Sequence, residues 1–190
     1  MIRRIVCFDG ESNGLHGEVF AVGGVVLDAA TGREESTFYA RAPDPVGADP
    51  WVAEHVIPRL GPELTHPTVR TMREAFWAWL RWQMGQGDGV WVLVDCGWPV
   101  EARLLEACVG DDPEGRAFKG PYPLHELATL LTAAGRNPMA AYAEEVLTEG
   151  ELADYHTHHP VWDARVSARA GLMAARALGL SNSQIIWRHV

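Results

Sequence analysis

The chain is short of cysteine, of long apolar runs and of positive charge, and each shortage removes a class of protein. Cys7, Cys96 and Cys108 are three in number and widely spaced, which excludes a disulfide framework and leads us to expect a reducing, cytoplasmic setting. Met1-Ile2-Arg3-Arg4 passes directly into a strand-like pattern. No signal-peptide core and no bilayer-length apolar stretch is found, so no membrane association is expected. Lysine and arginine total 16 against 25 acids, a net charge of -9. That balance argues against a broad basic face of the kind that holds long nucleic acid, although short strands in a pocket remain compatible with it. Repeats, low-complexity runs and long linkers are also lacking. With 190 residues and 47% hydrophobic content, a single domain over residues 1–190 with one sizeable core is expected.

The most informative segment that is present runs from Ile5 to Leu15. Ile5-Val6-Cys7-Phe8 reads as a buried strand, and Asp9 and Glu11 follow at i and i+2, so both carboxylates project from the same face. Like charges leaving water together repel unless something positive compensates, and a divalent metal is the natural compensation. An acidic pair at a strand end also serves simply to close a turn, so a distant partner motif is needed. His158-His159-Pro160-Val161-Trp162-Asp163-Ala164-Arg165 supplies it. Pro160 suits the first turn of a helix, with an apolar stripe predicted along Val166, Ala170, Met173, Ala177 and Leu180 and with Arg165, Arg169 and Arg176 opposite. Asp163, three residues before Val166, heads the inward stripe, although an acid favoured only by the helix dipole would sit there too. Pro160 keeps its predecessor extended, which places His158 in the entering loop, free to reach the same site.

These residues resemble a known pattern. F-D-x-E-x-x-G-L from Phe8 to Leu15 and H-x-x-x-x-D-A-R from His158 to Arg165 resemble the first and third motifs of the DEDDh 3′-5′ exonucleases, the family of oligoribonuclease, RNase T and polymerase proofreading subunits. Trp51 to Leu60 is similar to a W-V-x-x-H-V-x-P-x-L segment of a small bacterial 3′-5′ exoribonuclease branch. The resemblance implies an α/β, RNase H-like fold with a mixed five-stranded sheet flanked by helices. It also implies hydrolysis of single-stranded RNA or DNA from the 3′ end, with RNA and short oligonucleotides favoured and nucleoside 5′-monophosphates released. Asp9, Glu11, Asp163 and a further acid would hold two divalent ions, Mg2+ or Mn2+. His158 would act as general base, Leu15 would contact the terminal bases, and the chain would form a homodimer. The chemistry suits these residue types: hard carboxylate oxygens bind such ions, a two-metal site serves phosphodiester hydrolysis, and a histidine titrates near neutrality.

The middle motif departs from the family. After the strand Val90 to Val94 come Asp95-Cys96-Gly97-Trp98-Pro99-Val100-Glu101. Asp95, at the strand end, is preferred as the further metal ligand, and Glu101, spaced before Leu104 and Leu105 as the family's acid is, stays an alternative; either could simply cap the next helix. His156, His158 and His159 lack the shared helix face or cysteine pair of a zinc site, so no zinc is expected. The eight tryptophans suit a core or interface, while Trp98 and Trp162, each beside a site acid, are also candidates to stack a base. The altered motif leaves open a nucleotide- or nucleic-acid-binding protein with weakened catalysis, and the acidic surface leaves open a phosphodiesterase for a small dinucleotide.

Periodicity predicts strands near residues 2–8, 18–28 and 34–42, the last two joined by a turn around Ala29 to Gly32, and a short helical turn near Trp51 to Ile57. Helices are predicted over Val69 to Met84, with Val69, Met72, Phe76, Trp79 and Leu80 on one face, over Pro99 to Cys108, Leu124 to Ala134 and Met139 to Leu147, and from Pro160 onward. Gly110 to Pro113 reads as a loop.

Overall fold

The structure, a computed structural model, describes residues 2–87 and 89–180. Strands β1 (Arg4–Ser12), β2 (Val19–Asp28) and β3 (Glu34–Arg41) form an antiparallel meander, and β1 pairs in parallel with β4 (Val90–Val94), which pairs in parallel with β5 (His125–Glu126). The order β3-β2-β1-β4-β5 makes the sheet mixed and five-stranded with β1 at its centre. Parallel neighbours need a crossover, which α1 (Pro50–His55), the turn Ile57–Arg59 and α2 (Val69–Met84) provide between β3 and β4. The bounds of α2 and β4 are those the sequence predicts.

Alternation along β1 divides the core. Ile5 and Cys7, with Val25, Leu27, Trp91 and Leu93, lie under α5 (Leu127–Ala133) and α8 (Pro160–Ala177). Val6 and Phe8, with Val22, Val26, Val92 and Val94, lie on the other face under α2 and α3 (Ala102–Asp111). Asp9 and Glu11 continue the α8 side of β1. Asp9 is paired across the ladder with Gly23, where a Cβ would stand 2.3 Å from the Pro160 carbonyl carbon and the Val161 nitrogen. Only a glycine lets the head of α8 lie that close to the sheet.

Several elements differ from the sequence reading. The face of α8 packed on the sheet is made of small residues, with Ala164, Ala168, Ala170, Ala174 and Ala175 buried, while Val166 and Met173 are half-buried and Ala177 is exposed. A stripe chosen by hydropathy overlooks alanines that allow close approach. Asp163 nevertheless heads an inward row through Ser167, Ala170 and Ala174 at steps of four, three and four. Arg165 and Arg169 are not left in solvent: they pair with Glu34 and Glu151 at 2.7 Å, and Arg176 donates to the carbonyls of Ala29 and Ala30. The two residues of β5 fall inside the predicted helix Leu124 to Ala134, which begins at Leu127. Residues Gly97–Glu101 form a wide, kinked turn before α3, with Trp98 extended, and α3 continues to Asp111 ahead of α4 (Pro113–Arg116). In place of one helix over 139–147 there are α6 (Ala143–Val146) and α7 (Glu149–Asp154). No described helix is long and apolar enough to cross a membrane.

Candidate functional site

The site lies where β1, the head of α8 and the turn before α3 meet. Glu11 is buried, and its carboxylate, that of Asp163 and a ring nitrogen of His158 each offer an atom within 4.8 Å of the others. Asp163 is oriented by the His158 backbone N–H, which donates to it at 2.8 Å, and the Tyr155 hydroxyl lies close enough to bear on its carboxylate. Accepting that backbone bond requires the tight local turn in which His158 adopts φ 63°, a left-handed conformation uncommon for a side-chain-bearing residue and found where surroundings enforce it.

The carboxylates raise one another. Burial pushes the Asp9 carboxyl well above its usual range, and Glu11, Asp163, Glu101 and Asp95 push it further. Glu11 is pushed up to about 8 by burial, then by Asp163 and Glu101. Asp163 rises to about 7, chiefly through burial and despite the favourable bond from His158. Glu101, also buried, rises to about 7, chiefly through burial; one of its oxygens faces the Gly10 N–H at 3.4 Å. Asp95 stands at the end of β4 with its side chain open to solvent, raised by partial loss of hydration and then by Glu126. Among the described residues, no arginine, lysine or histidine forms a salt bridge with any of these five carboxylates. A group of hard anionic donors, mostly buried and without a counter-charge, fits a divalent cation of the Mg2+ or Mn2+ kind.

The structure thus brings Asp9, Glu11, Asp163 and His158 together with both acids of the middle motif. Leu15, in the β1–β2 loop, is exposed. His159 instead stacks on Tyr39, with ring centroids 5.3 Å apart, and its Nδ1 is buried without a hydrogen-bond partner among the described residues. His156 is exposed. Trp162 packs against Tyr155 and lies under the Arg165 guanidinium at 4.3 Å, so it supports α8, whereas Trp98 is 63% exposed.

Three site neighbours went unread in the sequence. Tyr155 bears on Asp163, Glu126 accepts from the Gly97 N–H at 2.9 Å and bears on Asp95, and Trp51 and His158 meet in a T-shaped pair at 5.1 Å while Trp51 stacks on His55. For Trp51 and His55 a signal existed, since the W-V-x-x-H-V similarity contains them, but nothing local linked that segment to His158. Tyr155 and Glu126 reach the site through chain packing that no motif records.

No protein-family model and no curated protein matches the sequence. Solved structures do match. The nuclease domain of 3′hExo, described as a DEDDh family member bound to rAMP, superposes with a TM-score of 0.56 at 15% identity, over 100% of this chain and 98% of that one. A 3′-exonuclease described in 3′-end-specific recognition of a histone mRNA stem-loop gives 0.55 at 14%, over 95% of this chain and 65% of that one. Cell-death related nuclease 4 gives 0.55 at 13%, over 94% and 64%. The chain spans slightly less than two thirds of the last two. Its fold is that of the DEDDh 3′-exonuclease nuclease domains.

Proposed function

We propose that the protein is a metal-dependent 3′-5′ exonuclease acting on single-stranded nucleic acid, with RNA and short oligonucleotides favoured, and releasing nucleoside 5′-monophosphates. The observation that carries this reading is the gathering of Asp9, Glu11, Asp163 and Glu101, with His158 beside Glu11 and Asp163 and, among the described residues, no cation in a salt bridge with them, on a fold shared with nuclease domains.

Asp9, Glu11 and Asp163 would hold the ions, with the fourth carboxylate from the middle motif. Asp95 and Glu101 both stand at the site, and burial of Glu101 against Asp9 and Glu11 favours it; Asp95, toward solvent, is the other candidate. Bound there, Mg2+ or Mn2+ would make a water acidic and offset charge on the phosphoryl oxygens. His158 would take the proton from the attacking water. Its basicity is lowered by burial and then by the charges of His55 and Arg59, so it is neutral and able to accept at neutral pH. The His158 backbone N–H keeps an Asp163 oxygen aimed, with the Tyr155 hydroxyl close by, as outer partners of metal-holding carboxylates do. Leu15 and Trp51, both exposed, offer apolar surface to the terminal nucleotide.

Calorimetric titration with Mn2+ tests the assignment. The wild type should bind, Asp9→Ala and Glu11→Gln should lose most of the affinity, and Glu101→Gln should weaken it more than Asp95→Asn. Equal binding by the wild type and Asp9→Ala would refute the site, and the reverse order for the last pair would return the fourth position to Asp95.

A further inference from the structure

A general base works only if its ring is held toward the reacting group, and a third group commonly orients it by bonding its other nitrogen. His158 lacks that hold. Its backbone N–H donates to Asp163 and its φ is 63°, which settles the main chain, but among the described residues no hydrogen bond reaches the imidazole. The ring beside it is that of Trp51, in a T-shaped pair with centroids 5.1 Å apart at 84°.

Trp51 is itself held from two directions. Helix α1 buries Val52, which clusters with Val56, Leu60 and with Phe20 and Ala21 of β2. Trp51 and His55, four residues apart and so on one helix face, stay outside that cluster and stack at 4.8 Å and 14°, with His55 Nδ1 3.0 Å from the Trp51 carbonyl oxygen. The head of the helix is tied to the acidic strand: the Asn13 side-chain oxygen accepts from the Asp49 N–H at 2.7 Å, and the Asp49 carboxylate accepts from the Trp51 N–H at 2.9 Å. Asn13 stands two residues after Glu11. The contacts therefore close on themselves, from Glu11 through Asn13, Asp49 and Trp51 to His158, whose ring offers a nitrogen within 4.8 Å of the Glu11 carboxylate.

Resting on the exonuclease reading, we infer that Trp51 is a positioning residue for the general base: backed by His55 and anchored through Asp49 to Asn13, it sets the orientation of the His158 imidazole. Its exposed surface still meets the terminal nucleotide, so its loss should act on kcat through His158 and on KM directly.

Steady-state hydrolysis of a single-stranded oligonucleotide with Mn2+, run as a double-mutant cycle, separates the two effects. Trp51→Ala should lower kcat about tenfold, short of the 10² or more expected for removing the base, and leave Mn2+ affinity by calorimetry unchanged. Trp51→Phe, which keeps a ring, should retain most of kcat, and Asn13→Ala should lower it by less than Trp51→Ala does. In a His158→Ala background Trp51→Ala should cost kcat nothing further, since a residue that acts through another is not additive with it. In the metal-free protein the His158 ring-proton NMR signals should carry an aromatic shift that Trp51→Ala removes. Equal kcat losses with and without His158, a change confined to KM, or unmoved His158 signals overturn the positioning role and leave the exonuclease reading standing. A wild type that binds Mn2+ and cleaves no strand overturns both.

Discussion

Asp163 shows how few atoms decide the site. One donor to it is a backbone N–H that no substitution short of proline removes, and beside it stands the Tyr155 hydroxyl, itself pushed up to about 12 by burial and then by Asp163, which keeps it protonated at any working pH. Tyr155→Phe deletes that hydroxyl and keeps the ring against Trp162. It should lower Mn2+ affinity roughly 10- to 100-fold by calorimetry, the usual cost of losing an outer partner of a metal-holding residue; unchanged affinity would show that Tyr155 merely packs. His158→Ala should lower kcat by about 10² or more, the range of a general base, with little change in metal affinity. His159→Ala should instead lower thermal stability through loss of the Tyr39 stack and spare kcat. A larger kcat loss in the His159 variant would transfer the base to that residue.

At the scale of elements, the site depends on how closely α8 meets the sheet. Gly23→Ala would place a methyl 2.3 Å from the Pro160 backbone, and the helix head would have to lift, carrying Asp163 and His158 away from Glu11. A loss of about 1–3 kcal/mol in denaturant unfolding, typical of overpacking, should accompany loss of Mn2+ binding. Wild-type stability and affinity would contradict the contact. Sequence made some elements plain and others not, for physical reasons. Helix α2 carries its period in large residues, Met72, Phe76 and Leu80, and β4 is an unbroken apolar run bounded by Gly89 and Asp95, so both were legible end to end. Helix α8 packs through alanines and its phase was misread. Strand β5 has two residues, too few to show a period, and exists because β4 offers it an edge. The capping box of α7, Thr148 with Glu151, was readable but fell beyond a predicted helix that the chain does not form. Of the site, the two end motifs gave Asp9, Glu11, His158 and Asp163. The fourth acid stayed divided because both Asp95 and Glu101 flank a turn whose course depends on tertiary contacts: the cation-poor cluster at one end and the Gly97 bond to Glu126 at the other.

Over the whole molecule, the clustered acids tie stability to pH and to metal. Glu11 stands at about 8 and Glu101 at about 7 against an ordinary 4.5, and Asp163 at about 7 against 3.8. Folded values above unfolded ones mean that their contribution is fully present below the ordinary carboxylate range and is lost as pH rises through 7 to 8. In EDTA the Tm should therefore fall between pH 5 and pH 8, and Mn2+ at pH 8 should raise it again by binding only the folded chain; a Tm that rises over that interval without metal would show that the carboxylates do not share one buried site. The fold is shared with nuclease domains, and the net charge of -9 argues against a broad basic face for long duplexes. The most direct test is a time course with a single-stranded oligonucleotide labelled at its 5′ end, in Mn2+. The account predicts a ladder shortening one nucleotide at a time from the 3′ end, abolished in Asp9→Ala and slowed by a blocked 3′ hydroxyl. Early internal fragments, or an unchanged strand, would contradict it.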